Sequence, residues 1–241
     1  MATTTKPLVT TATSPTTLRR SVLLLALPAV GEQVLNTLVG LADTFLVGNL
    51  SAQAATRLGY SSATALAGVG LANQMVWLVT VLFMAVSVGS TALIARSRGA
   101  ADMQAANRAL RQSMIVGLAM GVAATLLGTL FAAPFMQILG AGPDVLPRSV
   151  TFLHIAALTF APAALLFIGT AALRGAGDTR TPLYVMLGVN AINILISWLL
   201  VNGNLGAPTL GVTGSAIGAA VARGGGGLVL IGVLLRGRSG L

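Results

Sequence analysis

Apolar runs recur along almost the whole chain, at about 21–48, 64–95, 113–139, 150–173, 182–202 and 210–235. Each is long enough to cross a hydrocarbon core of roughly 30 Å, which takes about 20 residues of helix. Hydrocarbon offers no partner to a free N–H or C=O, so segments of this length must satisfy their backbones internally. The predicted fold class is therefore all-α, a polytopic membrane protein of six transmembrane helices. Charge content agrees: 8% of the 241 residues are charged and 55% are hydrophobic, against roughly 25% charged in a soluble domain. A water-soluble fold is excluded.

The net charge of +9 would point to nucleic acid in a soluble chain, but here the basic residues fall between spans. Lys6, Arg19, Arg20, Arg96, Arg98, Arg108, Arg111, Arg174, Arg180, Arg236 and Arg238 sort to one side; Arg57 and Arg148 fall on the other. The positive-inside rule then places both termini in the cytoplasm; the expected location is a plasma or inner membrane in preference to an organellar one. Residues 1–20, rich in Thr and lacking acids, read as a disordered cytoplasmic tail ahead of a transmembrane unit at 21–238. The chain has no cysteine, hence no disulfide and no thiolate chemistry. His154 stands alone, without a nucleophile or metal-ligand constellation, and the chain reads as neither an enzyme nor a metalloprotein.

Two loops expected on the cytoplasmic side carry nearly the same signature, Arg98-Gly99-Ala100-Ala101-Asp102 and Arg174-Gly175-Ala176-Gly177-Asp178. Gly99 and Gly175 are expected to end their helices in the left-handed conformation, and Asp102 and Asp178 to cap the helices that follow.

Ionisable groups inside spans are costly and mark functional sites by default. The first span holds Glu32 and Asp43, which with Asn36 fall within an arc of about 40° along roughly 16 Å of helix. Asp43, flanked by Leu41, Ala42, Phe45 and Leu46, is a candidate for taking up a proton or binding a cation. In the second span Asn73, Thr80, Ser87 and Thr91 form a narrow polar stripe, and in the fifth Asn190, Asn193 and Ser197 share a face. Glu32, Gln33, Asn73, Thr80 and Asn190 are candidates to line a cavity; helix packing is the competing account of the second-span stripe. Pro28 and Pro162 each remove a backbone hydrogen bond inside a span, so a kink or hinge is expected at both. Gly214 and Gly218 form a GxxxG that predicts close helix packing. Gly224 to Gly227 are expected to mark flexibility where Arg223 leaves the hydrocarbon.

Leu27-Pro28, the run Leu41-Ala42-Asp43-Thr44-Phe45-Leu46-Val47-Gly48, LAGVGLANQ at 66–74 and the stretch from LRGAGDTRTP to AIGAAVA at 173–222 resemble multidrug and toxic compound extrusion (MATE) transporters, in family order. The resemblance implies the N-terminal six-helix lobe of a twelve-helix transporter. It implies export of small, often cationic, organic compounds against a proton or sodium gradient, with no cofactor beyond that coupling ion. Asp43 would bind the ion and govern bending at Pro28, with Asn193 beside it and Asn36 and Ser197 near. Ser197 stands where some members carry a second acid, which leans the coupling toward protons. The expected partners are membrane lipid, small-molecule substrates and a second lobe, either one missing from this chain or a second copy of it; of these the sequence reading favours a fragment. Two alternatives remain: a flippase for lipid-linked sugars, disfavoured because Arg223 is the one basic residue inside a span, and a truncated, non-transporting membrane subunit.

Overall fold

The computed structural model describes residues 15–236, with side chains from Ala26 onward, so residues 1–14 of the expected tail lie outside the described residues. The described chain is helical, without a strand: α1 Pro15–Gly48, α2 Ala52–Leu58, α3 Ser62–Gly99, α4 Met103–Leu130, α5 Ala132–Ile138, α6 Leu146–Ala157, α7 Phe160–Gly175, α8 Arg180–Asn202 and α9 Val212–Leu235. A single 3-10 turn, Asn204–Gly206, separates the last two. By length and apolarity α3, α4, α8 and α9 each suffice to cross a bilayer. The pairs α1–α2 and α6–α7 suffice jointly, bent by 77° and 56° at their breaks.

The third span is displaced from its expected place: helix runs over 103–130, not 113–139. Asp102 accepts from the Ala105 N–H at 2.8 Å and starts α4 there. Its first turns carry Gln104, Asn107, Arg108, Arg111 and Gln112, so hydropathy sees the apolar stretch only from residue 113. At the other end Pro134 cannot donate to Leu130, four residues earlier, and α4 stops at that residue. The same rule breaks the fourth span. Pro162 cannot donate to Leu158, and the 56° bend falls between Ala157 and Phe160. The Ala157 carbonyl at this break takes a hydrogen bond from the Thr125 hydroxyl of α4, at 2.8 Å. By contrast α1 runs unbroken through Pro28.

Both signature loops have one geometry, and the left-handed residue is not the one expected. Gly99 and Gly175 are the last residues of their helices. Positive φ belongs instead to Ala101 at 57° and Gly177 at 89°. The Asp102 N–H reaches the Ser97 carbonyl and the Asp178 N–H the Leu173 carbonyl, both at 2.9 Å, the longer bond of a Schellman ending. Asp178 then accepts from the Arg180 and Thr181 backbones, at 3.2 and 3.0 Å. Gly175 serves a second need: a Cβ there would lie 2.8 Å from the Thr91 carbonyl oxygen.

Small residues hold the bundle together. Gly214 and Gly218 of α9 face α8, where added methyls would collide with the Leu200 backbone and with Ser197. Gly224 to Gly227 do not break α9, which is continuous to Leu235. Gly227 lies against Pro162, where a Cβ would sit 2.9 Å from the carbonyl carbon, and Gly226 against Val189 and Leu166. Gly226 and Gly227 are packing positions, whereas nothing stands within 4 Å of a Cβ at Gly225. In α4, Gly121 and Gly128 leave room for α6 and α7 in the same way, with Cβ distances of 2.6 Å to Ala161 and 2.8 Å to Ala157. The larger core fills the space under α3, α6 and α9, with Phe83, Phe152, Leu153 and Phe160 buried; a smaller one joins α7, α8 and α9 around Leu166, Met186 and Leu230.

Candidate functional site

Polar faces of α1 and α8 meet across the bundle in two rungs. The Asn193 side-chain amide donates to Asp43 Oδ2 at 3.0 Å, and that of Asn190 donates to Asn36 Oδ1 at 3.3 Å. Behind the first rung the fully buried Ser197 hydroxyl donates to Asn193 Oδ1 at 3.3 Å. This fixes which end of the Asn193 amide points at the acid, because the carbonyl oxygen is occupied. Ser197 itself does not line the cavity described below. Asp43 Oδ1 is buried and has no hydrogen-bond partner among the described residues.

These rungs border a cavity of about 810 Å³ between α1, α3, α7, α8 and α9. Gln33, Asn36, Asp43, Asn73, Thr80, Asn190 and Asn193, all singled out from the sequence, line it. Its apolar walls include Trp77, Met84, Phe167 and Met186, which patterning had not identified. Arg223 of α9 also lines it, against the expectation that this arginine leaves the hydrocarbon. Arg223 and Asp43 line the same cavity, but the one ion pair among the described residues lies elsewhere.

That ion pair is Arg174 to Glu32, at 2.7 Å. Both residues line a neighbouring pocket of about 500 Å³ between α1, α3 and α7, so Glu32 belongs there and not to the main cavity. The second-span stripe divides between its two accounts. Asn73 and Thr80 face the main cavity, whereas Thr91 bonds the Ala171 carbonyl of α7 at 3.0 Å and ties two helices together. Ser87 is buried and donates to the Phe83 carbonyl of its own helix. His154 is exposed, with Nε2 3.0 Å from the Thr129 carbonyl.

Comparison with known proteins places this geometry. The chain is 32% identical over 206 residues to the probable multidrug resistance protein NorM of Thermotoga maritima, covering 86% of this chain and 42% of NorM. To the multidrug resistance protein PmpM of Pseudomonas aeruginosa it is 26% identical over 196 residues, 81% of this chain and 39% of that one. An outward-facing structure of a multidrug resistance MATE family transporter superposes with a TM-score of 0.79 at 23% identity, over 91% of this chain and 46% of that one. The chain thus spans less than half the length of these relatives, and its fold is that of one lobe of such a transporter. The MatE family model matches residues 28–199, a stretch that holds Asp43, both asparagine rungs and all but the α9 wall of the cavity, and the chain belongs to the MATE family.

Proposed function

We propose that the chain is the N-terminal lobe of a secondary active exporter of small organic compounds, in which Asp43 binds the coupling proton or sodium ion. The observation that carries this is the state of the Asp43 carboxylate. One oxygen is held by Asn193 and the other, buried and unpartnered, borders a cavity large enough for a drug-sized molecule. A buried carboxylate oxygen without a donor is costly, and a proton or a cation relieves that cost. Cavity walls that mix amides with Trp77 and Phe167 suit organic compounds that are partly apolar. The names of the relatives, multidrug resistance proteins, support drug efflux for the assembled transporter. In this reading a second lobe completes the transporter, the membrane is the plasma or inner membrane, and both termini are cytoplasmic, since Arg96 and Arg98 end α3, Arg174 ends α7 and Arg180 starts α8.

The test has two parts. In lipid nanodiscs, Trp77 fluorescence in a Trp198→Phe background responds to sodium or to protons, and Asp43→Asn abolishes the response. In proteoliposomes with a second lobe supplied, Asp43→Asn abolishes gradient-driven efflux of a cationic dye while insertion is normal. Unimpaired coupling in the variant would overturn the assignment.

A further inference from the structure

The first turns of α4 carry polar side chains that neither the core nor the cavities use. α4 packs against α3 and α7 and lines neither the main cavity nor the adjoining pocket. At about 100° per residue, Gln104, Arg108, Arg111, Ile115, Leu118 and Leu126 share an arc of about 80°, and all six are exposed. Gly117, Gly121 and Gly128 lie on the opposite side, buried against α6 and α7. The outer face thus changes chemistry once along its length. It is polar and basic through Arg111 and apolar from Ile115 to Leu126.

α4 is also longer than a bilayer requires. Its 28 residues extend about 42 Å, against a hydrocarbon core of roughly 30 Å. Counted back from Leu130, about 20 residues of hydrocarbon end at Arg111, and the turns before it stand among headgroups. Arg108 and Arg111, three residues apart, are neighbours on the helix surface. No carboxylate pairs with either among the described residues. Asp102, the nearest acid in sequence, accepts from the Ala105 N–H. Their stems can lie along the apolar face while the guanidinium groups reach the headgroup level, where a planar fork meets a phosphate in two hydrogen bonds. In a zwitterionic headgroup the phosphate is offset by its own ammonium. An anionic headgroup has no such offset, so two unpaired guanidinium groups favour it.

We propose that Arg108 and Arg111 form a binding site for the phosphate of an anionic phospholipid, seated on the outer face of α4 with its acyl chains along Ile115 and Leu118. The exposed apolar face directly beside the arginines singles out lipid as the occupant, because the groups that lie at the depth of Arg111 are those attached to the chains that cover Ile115. A second lobe that closes the main cavity need not approach this face. The site rests on the membrane-spanning fold and not on the role of Asp43.

The reporter is Ile115→Trp in a Trp77→Phe and Trp198→Phe background. The vesicles mix phosphatidylcholine with brominated phosphatidylglycerol or, in a matched series, with brominated phosphatidylcholine, whose bromine atoms quench a tryptophan they touch. Phosphatidylglycerol is expected to bind beside this reporter about tenfold more tightly than phosphatidylcholine, a preference that falls as salt rises. A second reporter, Leu126→Trp, sits on the same face but far from the arginines and is expected to show no preference. Arg108→Gln with Arg111→Gln removes the preference and leaves quenching by brominated phosphatidylcholine unchanged, which shows that α4 still meets lipid at that depth. Should that quenching be lost as well, the single substitutions decide: each is expected to lose part of the preference, and an unaltered preference in both overturns the site. Arg57→Gln, outside α4 and removing the same charge, leaves the preference intact. The proposal is overturned by equal binding of the two lipids beside Ile115→Trp, by an equal preference at both reporters, by a preference that survives the double substitution, or by its loss in Arg57→Gln.

Discussion

The two signature loops form a natural experiment, because one backbone geometry carries alanine in one copy and glycine in the other. Ala101 holds φ at 57° and Gly177 at 89°, with equivalent hydrogen bonds on both sides. Left-handed backbone costs an L-residue roughly 1–2 kcal/mol, while glycine loses about 0.4–1 kcal/mol more than alanine to the flexibility of the unfolded chain. Ala101 sits at the centre of the left-handed well near +57°, so the lower cost applies. Ala101→Gly is then expected to stabilise by about 0.5 kcal/mol. Gly177 lies some 30° beyond that centre, and nothing stands within 4 Å of a Cβ built there. Its cost is therefore conformational, and Gly177→Ala is expected to destabilise by about 1 kcal/mol or more. Reversible unfolding in mixed dodecyl maltoside and SDS micelles, followed by far-UV circular dichroism, measures both. Shifts of the same sign for the two substitutions would refute the backbone argument.

Other substitutions test the packing and the polar ties. Gly227→Ala pushes a methyl into Pro162 of α7, where backbone cannot yield, and is expected to cost about 2–3 kcal/mol in the same unfolding assay. Gly225→Ala, with nothing within 4 Å, is expected to gain a few tenths to about 1 kcal/mol from helix propensity. A double-mutant cycle with Glu32→Gln and Arg174→Gln is expected to give a coupling of about 1–2 kcal/mol, reduced from a fully buried pair because the side chains are 13% and 28% exposed. Thr125→Val leaves the Ala157 carbonyl without its donor and is expected to cost about 0.6–1 kcal/mol by the same measurement.

What could be read from the sequence follows the kind of signal each feature leaves. Continuous apolarity marked the spans, and the polar arc of Glu32, Asn36 and Asp43 marked a face of α1 that must meet protein or water; Asn36 and Asp43 meet α8 and Glu32 meets Arg174 of α7. The start of α4 escaped because its first turns, with Arg108 and Arg111, are amphipathic and helical before they are apolar. The short α2 escaped because seven residues carry too little periodicity to register. Arg223 was visible as an intramembrane charge, but the partner it faces depends on how α9 is rotated against α1 and α3, which one helix alone does not specify. The glycines of α4, at 117 and 121, had a legible small-residue spacing, and they do face α7. The breaks at Leu130 and Leu158 lie four residues before Pro134 and Pro162, a rule strong enough to have placed both. Pro28 shows its limit, since α1 passes through unbroken.

The ties of α1 to the bundle are long in sequence: 142 residues separate Glu32 from Arg174, 154 separate Asn36 from Asn190, and 150 separate Asp43 from Asn193. At a synthesis rate of about 5–20 residues per second, the ribosome needs roughly 8–30 s to deliver those partners. Through that interval α1 carries two carboxylic acids without their partners from the later spans. Its final seat is built by Arg174 of α7 and by Asn190 and Asn193 of α8, all of them made well after α1.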